Sequence, residues 1–157
     1  MKLHHYRLKT EWTGNRGLNT IKYDSYDRDF KLHLKNKNGI EASADPAFRG
    51  DETKPNPEEF LLSAISSCHM LWFLHECSDH GIEVVSYEDE AYAEMEEEKG
   101  QGGRFIKAVL TVEVEITDST KINRLETMHE NASRKCFIAN SCNFPIEIIS
   151  RSQTGLL

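Results

Sequence analysis

The chain has 157 residues, which is enough for a core of its own, and we expect a single domain over residues 1–157. Its formal net charge of −7 argues against sequence-independent nucleic-acid binding, because such binding needs Lys and Arg to neutralise phosphates. No apolar run approaches the roughly 20 residues of a transmembrane helix, and the N-terminus lacks the apolar stretch of a signal peptide. We therefore expect a cytosolic protein with no membrane partner.

The first 45 residues have the patterns of a β-meander. Residues 6–12 alternate apolar and polar side chains, which is typical of a half-buried strand. The segment 13–17 contains glycine and asparagine and predicts a turn. Further strands are predicted near residues 18–24 and 29–35, and the Asn-Gly pair at 38–39 is a hairpin signal.

A polar loop over residues 44–55 precedes the strongest helix signal of the chain. Asn56 is a good N-cap and Pro57 suits the first helical position, while Gly81 supplies a C-cap after about His80. Because this helix is apolar on several faces, we expect it to be central and to pack partly against a second copy of the chain. Its predicted buried stripe comprises Phe60, Leu61, Ala64, Cys68, Leu71, Trp72 and His75.

The middle of the chain predicts a long β-hairpin. Residues 84–98 and 104–117 read as its strands, since apolar and polar side chains alternate in the second of them. The acidic run at 94–98 is interpreted as a solvated sheet edge, where charge discourages the addition of another strand.

A second helix is predicted over residues 119–134, with Asp118 as its N-cap. A short apolar segment opens at Cys136, and residues 144–149 predict a last strand. The element order predicts an α+β fold. The inward stripe of the second helix is predicted to be Ile122, Leu125, His129 and Ala132.

Two of the four cysteines depart from the usual role of a buried thiol as a small apolar residue. Cys68 lies on the predicted buried stripe next to small serines, but it is too far into the helix for the helix dipole to activate it. A direct Cys68–His69 pair is not expected, because adjacent helical residues point about 100° apart. Cys136 follows Arg134 and Lys135 at a helix end, where positive charge and backbone N–H groups would favour a thiolate.

Cys77 and Cys142 are interpreted as ordinary buried thiols. Cys77 and His80 could supply two zinc ligands, but no second well-spaced Cys/His pair completes a site, so we expect no metal. His75 and His129 lie on predicted apolar faces and are interpreted as core histidines. A papain-like cysteine hydrolase stays open as a minor alternative, supported by no local pattern.

The segment from Asn56 to Cys68, NPEEFLLSAISSC, resembles the signature of the OsmC/Ohr family. A second cysteine, Cys136, opens a short segment after a helix, as the second redox cysteine of that family does. Gly102-Gly103-Arg104-Phe105 in the hairpin is also similar to the family. The resemblance extends from about Arg49 to Ile148.

The resemblance implies a cofactor-free peroxidase that reduces organic hydroperoxides and is regenerated by an external dithiol, such as a lipoyl-type reductant. It implies Cys68 as the attacking thiol, Cys136 as the resolving thiol and Glu58 as a conserved-type carboxylate. Arg49 is the favoured activating arginine, and Arg16 is the alternative. The implied architecture is an OsmC-like fold: an N-terminal β-meander, a long central helix, a β-hairpin, a second helix and a C-terminal strand, in an intertwined homodimer.

The sequence departs from the family pattern in two places. Phe137 stands where members usually have proline after the second cysteine, and the residues after Cys68 are bulkier than usual. These departures bear on the peroxide preference and the efficiency of catalysis. The main alternative is a non-enzymatic protein of the same fold, in which an apolar pocket beside Cys68, rimmed by Trp72 and phenylalanines, binds a small apolar ligand. Because Glu58 and Cys68 are about 15 Å apart along one helix, we expect Glu58 to serve the site of the partner subunit.

Overall fold

The computed structural model describes residues 2–154, and the chain forms two compact units, Met1–Phe60 and Leu61–Leu157. The observed elements confirm the α+β class that the element order predicts. The single domain and the intertwined homodimer remain predictions. Within the described part of the chain, no helix combines the length and apolar character needed to cross a bilayer.

The first unit contains an antiparallel sheet of three strands, β1 (Leu8–Trp12), β2 (Phe30–Leu34) and β3 (Ile40–Ala42), in that order. The pairing of β2 with β3 confirms a hairpin, but its turn lies at residues 35–37, where Asn36 adopts φ 60°, and not at the predicted Asn-Gly pair of 38–39. All five residues of β1 are exposed, so its predicted half-burial is wrong. The strand lies at an edge of the sheet, where its side chains gain little cover within the unit.

The strand predicted at 18–24 does not form; turns and bends occupy this segment. Gly17 and Asn19 both adopt positive φ, 92° and 52°, which no strand accommodates. The Ser25 hydroxyl donates to the carbonyl of Asn19, and the Asn15 side chain accepts from the Gly17 N–H at 2.8 Å. These local bonds give the backbone an alternative to strand pairing, and apolar content alone does not reveal them.

Helix α1 spans Pro57–Asp79, as its cap signals predict. Asn56 accepts from the Glu59 N–H at 2.9 Å, and the Glu59 carboxylate accepts from the Asn56 N–H at 3.0 Å, which makes a reciprocal capping box. Gly81, at φ 65°, follows the helix end in the left-handed conformation that a C-cap requires.

The buried face of α1 is rotated from the predicted stripe. Leu71 is 62% exposed and the side chain of His75 is 55% exposed, so the prediction of His75 as a core histidine is wrong. Because α1 is apolar on more than one face, the pattern along the sequence cannot tell which face meets the sheet. The buried residues of α1 are Ile65, His69, Phe73, Glu76 and Cys77.

The second unit is built on the predicted hairpin of β4 (Val84–Glu98) and β5 (Gly102–Ile116). The C-terminal strand β6 (Ile146–Ser150) pairs in parallel with β5, and so does the short β7 (Gln153–Thr154). Strand β4 forms an edge of this sheet, and its acidic end is exposed as predicted. The buried face of β5 carries Ala108, Leu110, Val112, Val114 and Ile116.

The helix predicted over 119–134 is two elements. A 3-10 helix spans Ser119–Arg124, and helix α2 spans Leu125–Lys135. The Asp118 side chain accepts from the Thr120 N–H, which confirms the predicted N-cap. Most of the predicted inward stripe is buried, and Ile122 in the 3-10 turn is half-buried.

Candidate active site

Cys68 lies in the middle of α1 as a half-buried free thiol. Two residues earlier, the Ser66 hydroxyl donates to the Asp89 carboxylate of β4 at 2.8 Å and joins this part of the helix to the sheet. The neighbouring Ser67 is exposed and donates to the carbonyl of Ser63 within the helix. Small side chains therefore flank a thiol that solvent can reach.

Cys136 is the C-cap of α2 and is fully buried. Its backbone leaves the helical conformation at ψ 111°, while its N–H still donates to the carbonyl of Ala132 at 2.8 Å. The chain then turns into a short 3-10 helix, Ala139–Ser141, and the Ala139 N–H donates to the Cys136 sulfur at 3.3 Å. The helix end thus holds the thiol in one place.

The structure brings Cys68 and Cys136 close enough for the two thiols to interact. Burial, followed by the interaction with Cys68, raises the pKa of Cys136 to about 11. The expectation that Arg134 and Lys135 favour a thiolate at Cys136 is therefore wrong. Arg134 instead donates to Asn131, and Lys135 binds Glu76, so neither charge is directed at the sulfur.

Glu76 is a functional candidate that the sequence reasoning missed. It is 2% exposed, and its carboxylate binds the Lys135 ammonium and accepts from the Asn131 amide at 3.0 Å. The Lys135 hydrogen bond holds the pKa of Glu76 below its usual value. A single carboxylate on an apolar helix face, eight residues after Cys68, was the signal that could have revealed it.

His69 turns away from the thiol pair and meets His129 of α2. Their rings are stacked with centroids 5.3 Å apart, and His69 Nε2 lies 3.0 Å from His129 Nδ1. Burial lowers the pKa of His69 to about 4 and that of His129 to about 3, so both are neutral at pH 7. His129 also stacks on Phe73 at 4.1 Å, which places it in the core as predicted.

The other two cysteines have no described thiol neighbour. Cys77 lies in the apolar core, where burial raises its pKa to about 11. Cys142 is half-buried; burial raises its pKa, and its thiol donates to the carbonyl of Ile138 at 3.3 Å. No group of three or more His, Cys, Asp or Glu side chains among residues 2–154 is arranged to hold a metal ion.

Arg49 belongs to the first unit, at the end of a 3-10 helix spanning Pro46–Phe48. Its backbone is left-handed at φ 67°, and its guanidinium lies 6.0 Å from the centroid of the Tyr23 ring. Gly50 follows, and a Cβ there would lie 1.6 Å from the carbonyl oxygen of Ala44, so the loop can close only with glycine. Arg49 therefore sits on a tightly constructed, exposed loop.

The alternative arginine, Arg16, is engaged within its own loop. It donates to the carbonyl of Asp24 and lies 3.5 Å from the carboxylate of Asp27. Arg49, in contrast, forms no ion pair among the residues that the structure describes.

Glu58 lies in the first turn of α1 and also belongs to the first unit. Its Oε2 atom is buried without a hydrogen-bond partner over the described range 2–154. Its neighbour Glu59, and not Glu58, closes the capping box. A buried carboxylate oxygen without a hydrogen-bond partner lowers stability, and Glu58 Oε2 is able to accept a further hydrogen bond.

The OsmC-like protein family matches residues 50–151, which include Glu58, Cys68 and Cys136. The chain belongs to the OsmC-like protein family. An OsmC-like protein of unknown function from Vibrio cholerae is 27% identical, with a TM-score of 0.84 over 94% of this chain and 99% of that protein.

Two organic hydroperoxide resistance proteins share this OsmC-like fold. The one from Elizabethkingia anophelis is 15% identical, with a TM-score of 0.65 over 97% of this chain and 99% of that protein. The one from Bacillus subtilis is 12% identical, with a TM-score of 0.62 over 97% of this chain and 100% of that protein. These identities show the common fold alone. No curated protein sequence matches the chain.

Proposed function

We propose that this OsmC-like protein is a cytosolic thiol peroxidase that reduces organic hydroperoxides. The observation that carries the proposal is the pair of free, interacting cysteines, Cys68 of α1 and Cys136 at the end of α2. The names of the structurally similar hydroperoxide resistance proteins support a peroxide-related redox role. A small apolar-ligand carrier would have no need for two adjacent thiols.

The difference in exposure between the two thiols supports their roles. Cys68 is half-buried, so a peroxide can reach it, whereas Cys136 is fully buried and can react only with a neighbouring sulfur. The raised pKa of Cys136 keeps its proton in place, so the two sulfurs do not compete as thiolates. We assign Cys68 as the attacking thiol and Cys136 as the resolving thiol.

The proposed reaction has three balanced steps. The Cys68 thiolate attacks the terminal peroxide oxygen, the O–O bond breaks, and the alkoxide leaves and takes up a proton as the alcohol, so that Cys68 becomes a sulfenic acid. Cys136 then attacks the Cys68 sulfur, its proton leaves with the hydroxide as water, and a disulfide forms. An external dithiol reduces this disulfide by exchange and is itself oxidised. A lipoyl-type dithiol is the reductant that the family resemblance favours.

Arg49 and Glu58 are the proposed activators of Cys68. An arginine would stabilise the thiolate and the developing alkoxide, and a carboxylate would hold its guanidinium by a bidentate pair. Over the described residues 2–154, Arg49 forms no ion pair and Glu58 Oε2 has no hydrogen-bond partner, which supports this choice, whereas the ion pair of Arg16 with Asp27 argues against the alternative.

We further propose that the active protein is a homodimer in which one subunit supplies Glu58 and Arg49 to the Cys68 of the other. Refolded mixtures of the Cys68→Ser and Glu58→Ala chains test this arrangement. Random pairing would place both changes on one site of each heterodimer and leave its other site complete, so we expect about a quarter of wild-type activity from two nearly inactive parents. Verified heterodimers that stay inactive would assign Glu58 to its own chain or to no role.

One mass measurement tests the redox chemistry directly. The reduced protein receives a single equivalent of cumene hydroperoxide, and its tryptic peptides are mapped without reduction. We expect an intramolecular Cys68–Cys136 disulfide, with Cys77 and Cys142 still reduced as internal controls. A different disulfide pair would overturn the assignment of the thiols, and unreacted thiols would overturn the peroxidase.

A further inference from the structure

One face of α1 contacts three consecutive residues at the end of α2: Lys135, Cys136 and Phe137. Cys68, Trp72 and Glu76 are spaced by four residues and therefore lie on the same side of the helix. The Trp72 ring meets the Phe137 ring at 5.7 Å, Glu76 binds Lys135, and the Cys68 thiol interacts with that of Cys136. We call Cys68, Trp72 and Glu76 the clamp face of α1.

Glu76 makes the polar contacts of the clamp face. One of its carboxylate oxygens binds the Lys135 ammonium, and the other accepts from the Asn131 amide at 3.0 Å. Arg134 donates to the Asn131 oxygen, which leaves the Asn131 amide N–H groups for Glu76. Glu76 thus binds the last turn of α2 at Asn131 and at Lys135. Lys135 directly precedes Cys136.

Stability alone does not account for this carboxylate. Glu76 is 2% exposed, and taking a carboxylate out of water is unfavourable unless its partners offset the cost. An apolar residue at such a position often gives an equally stable protein. A buried charge that binds two residues of another helix does, however, specify the geometry of that helix in a way that apolar packing does not.

The position of Cys136 depends on this geometry. Cys136 is held by its own N–H bond to Ala132 and by the Ala139 N–H at its sulfur, so it moves with the end of α2. Disulfide formation requires a specific distance and orientation of the two sulfurs. Small displacements of either sulfur therefore slow the reaction and weaken the bond that forms.

We propose that Glu76 is a positioning residue that presents Cys136 to Cys68 and thereby sets how readily the two sulfurs join. Glu76 takes no part in the attack on the peroxide. The inference rests on the proposed function for its place in a catalytic cycle, but the pairing of the two thiols can be measured without any peroxide.

The first experiment is a redox titration of the purified protein in mixtures of reduced and oxidised dithiothreitol. The wild type is compared with Glu76→Gln, which keeps the size and removes the charge that binds Lys135. We expect the equilibrium constant for the Cys68–Cys136 disulfide to fall about tenfold, because the end of α2 is held less firmly. The matched control is Asp79→Asn, since Asp79 is on the same helix and pairs with His75 of α1 itself at 3.5 Å; it should stay within about twofold of the wild type.

The second experiment separates the two chemical steps with cumene hydroperoxide. In a Cys136→Ser background, trapping of the sulfenic acid measures the attack by Cys68, and Glu76→Gln should leave this rate within about twofold. With Cys136 present, Glu76→Gln should slow disulfide formation about tenfold and increase over-oxidation of Cys68. A merely structural effect would alter both steps.

Lys135→Gln breaks the same contact from the partly exposed side, so it serves if Glu76→Gln does not fold. It should reproduce the redox defect, and the double variant should be no worse than either single one, since both changes remove one interaction. Folded variants with wild-type equilibrium constants and resolution rates would overturn the positioning role. A wild type that pairs its thiols in dithiothreitol but ignores hydroperoxide would overturn the peroxidase and leave the positioning role standing.

Discussion

Helix α1 makes two contacts in the second unit that differ in chemistry. Toward the sheet, Ile65 and Phe73 join an apolar core with Leu110 and Val112 of β5. Toward α2, apolar packing is accompanied by pairwise contacts between polar or reactive groups: Cys68 with Cys136, His69 with His129, and Glu76 with Lys135. An apolar contact tolerates many side chains of suitable volume, whereas each polar pair needs its own partner. The reactive chemistry therefore lies at the contact whose residues are least interchangeable.

Substitution of Cys68 should have the largest effect, and the effect should be on chemistry alone. We expect Cys68→Ser to lower peroxide consumption on the order of a thousandfold or more, because the nucleophile is lost. The unfolding free energy should change little, since serine is nearly isosteric. Coupled peroxide-consumption assays and urea unfolding measure the two quantities. Cys142→Ser is the matched control, and a comparable loss of activity there would contradict the assignment.

Without Cys136, the protein should reduce hydroperoxide once and should not turn over. Cys136→Ser should consume about one equivalent of hydroperoxide quickly, form the Cys68 sulfenic acid, and then over-oxidise to the sulfinic acid. Intact-mass spectra over time distinguish the two oxidised forms. Sustained turnover by this variant with a dithiol reductant would mean that the external thiol, and not Cys136, resolves the sulfenic acid.

Substitution in the apolar contact between α1 and the sheet should lower stability and leave the redox chemistry unchanged. Leu110→Ala removes a fully buried side chain and should lower the unfolding free energy by about 2–5 kcal/mol. Folded protein should keep its redox equilibrium in dithiothreitol, because the polar pairs are untouched. Glu113→Ala, on the exposed face of the same strand, should change stability by less than about 0.5 kcal/mol. A redox defect in Leu110→Ala would show that the two contacts are coupled.

The histidine pair makes the α1–α2 contact sensitive to acid. The folded pKa values of about 4 for His69 and about 3 for His129 lie below the roughly 6.5 of an unfolded histidine. Between these values the unfolded chain binds more protons, so stability is full above about pH 6.5 and decreases as the pH falls toward 4. The expected loss is on the order of a few kcal/mol.

Urea unfolding at pH 7 and pH 4.5 measures this loss. His129→Gln keeps a hydrogen-bonding group opposite His69 and removes one titrating ring, so its pH dependence should be weaker than that of the wild type. His75→Gln is the control, because His75 is largely exposed and should leave the pH dependence unchanged. Equal slopes for all three proteins would mean that the buried pair does not govern acid stability.

Sequence signals that act over a few residues, such as cap residues and side-chain alternation, predicted most of the helices and strands. The cap residues Asn56, Gly81 and Asp118 act at the positions that the sequence indicates, and the alternation along β5 matches its buried face. The strand predicted at 18–24 failed for an equally local reason, since positive-φ residues and side-chain bonds turn the backbone there.

The helix stripe and the helix end singled out Cys68 and Cys136 among the four cysteines, and the family signature then implied their roles. Composition and spacing also suggested a thiolate at Cys136 from the charges beside it, and that inference failed. Arg134 is bound by Asn131, three residues earlier on the same helix, and Lys135 is bound by Glu76, which is distant in the chain.

The sequence by itself determined where α1 begins and ends and where the strands of the long hairpin lie, because caps, glycines and side-chain periods act over one or two turns. It also indicated Cys68 and Cys136 among the four cysteines. Only the tertiary structure decided which face of α1 is buried, that Cys68 meets Cys136, and that Glu76 binds the end of α2. These results depend on contacts between residues far apart in the chain, and a helix that is apolar on several faces can satisfy them in more than one orientation.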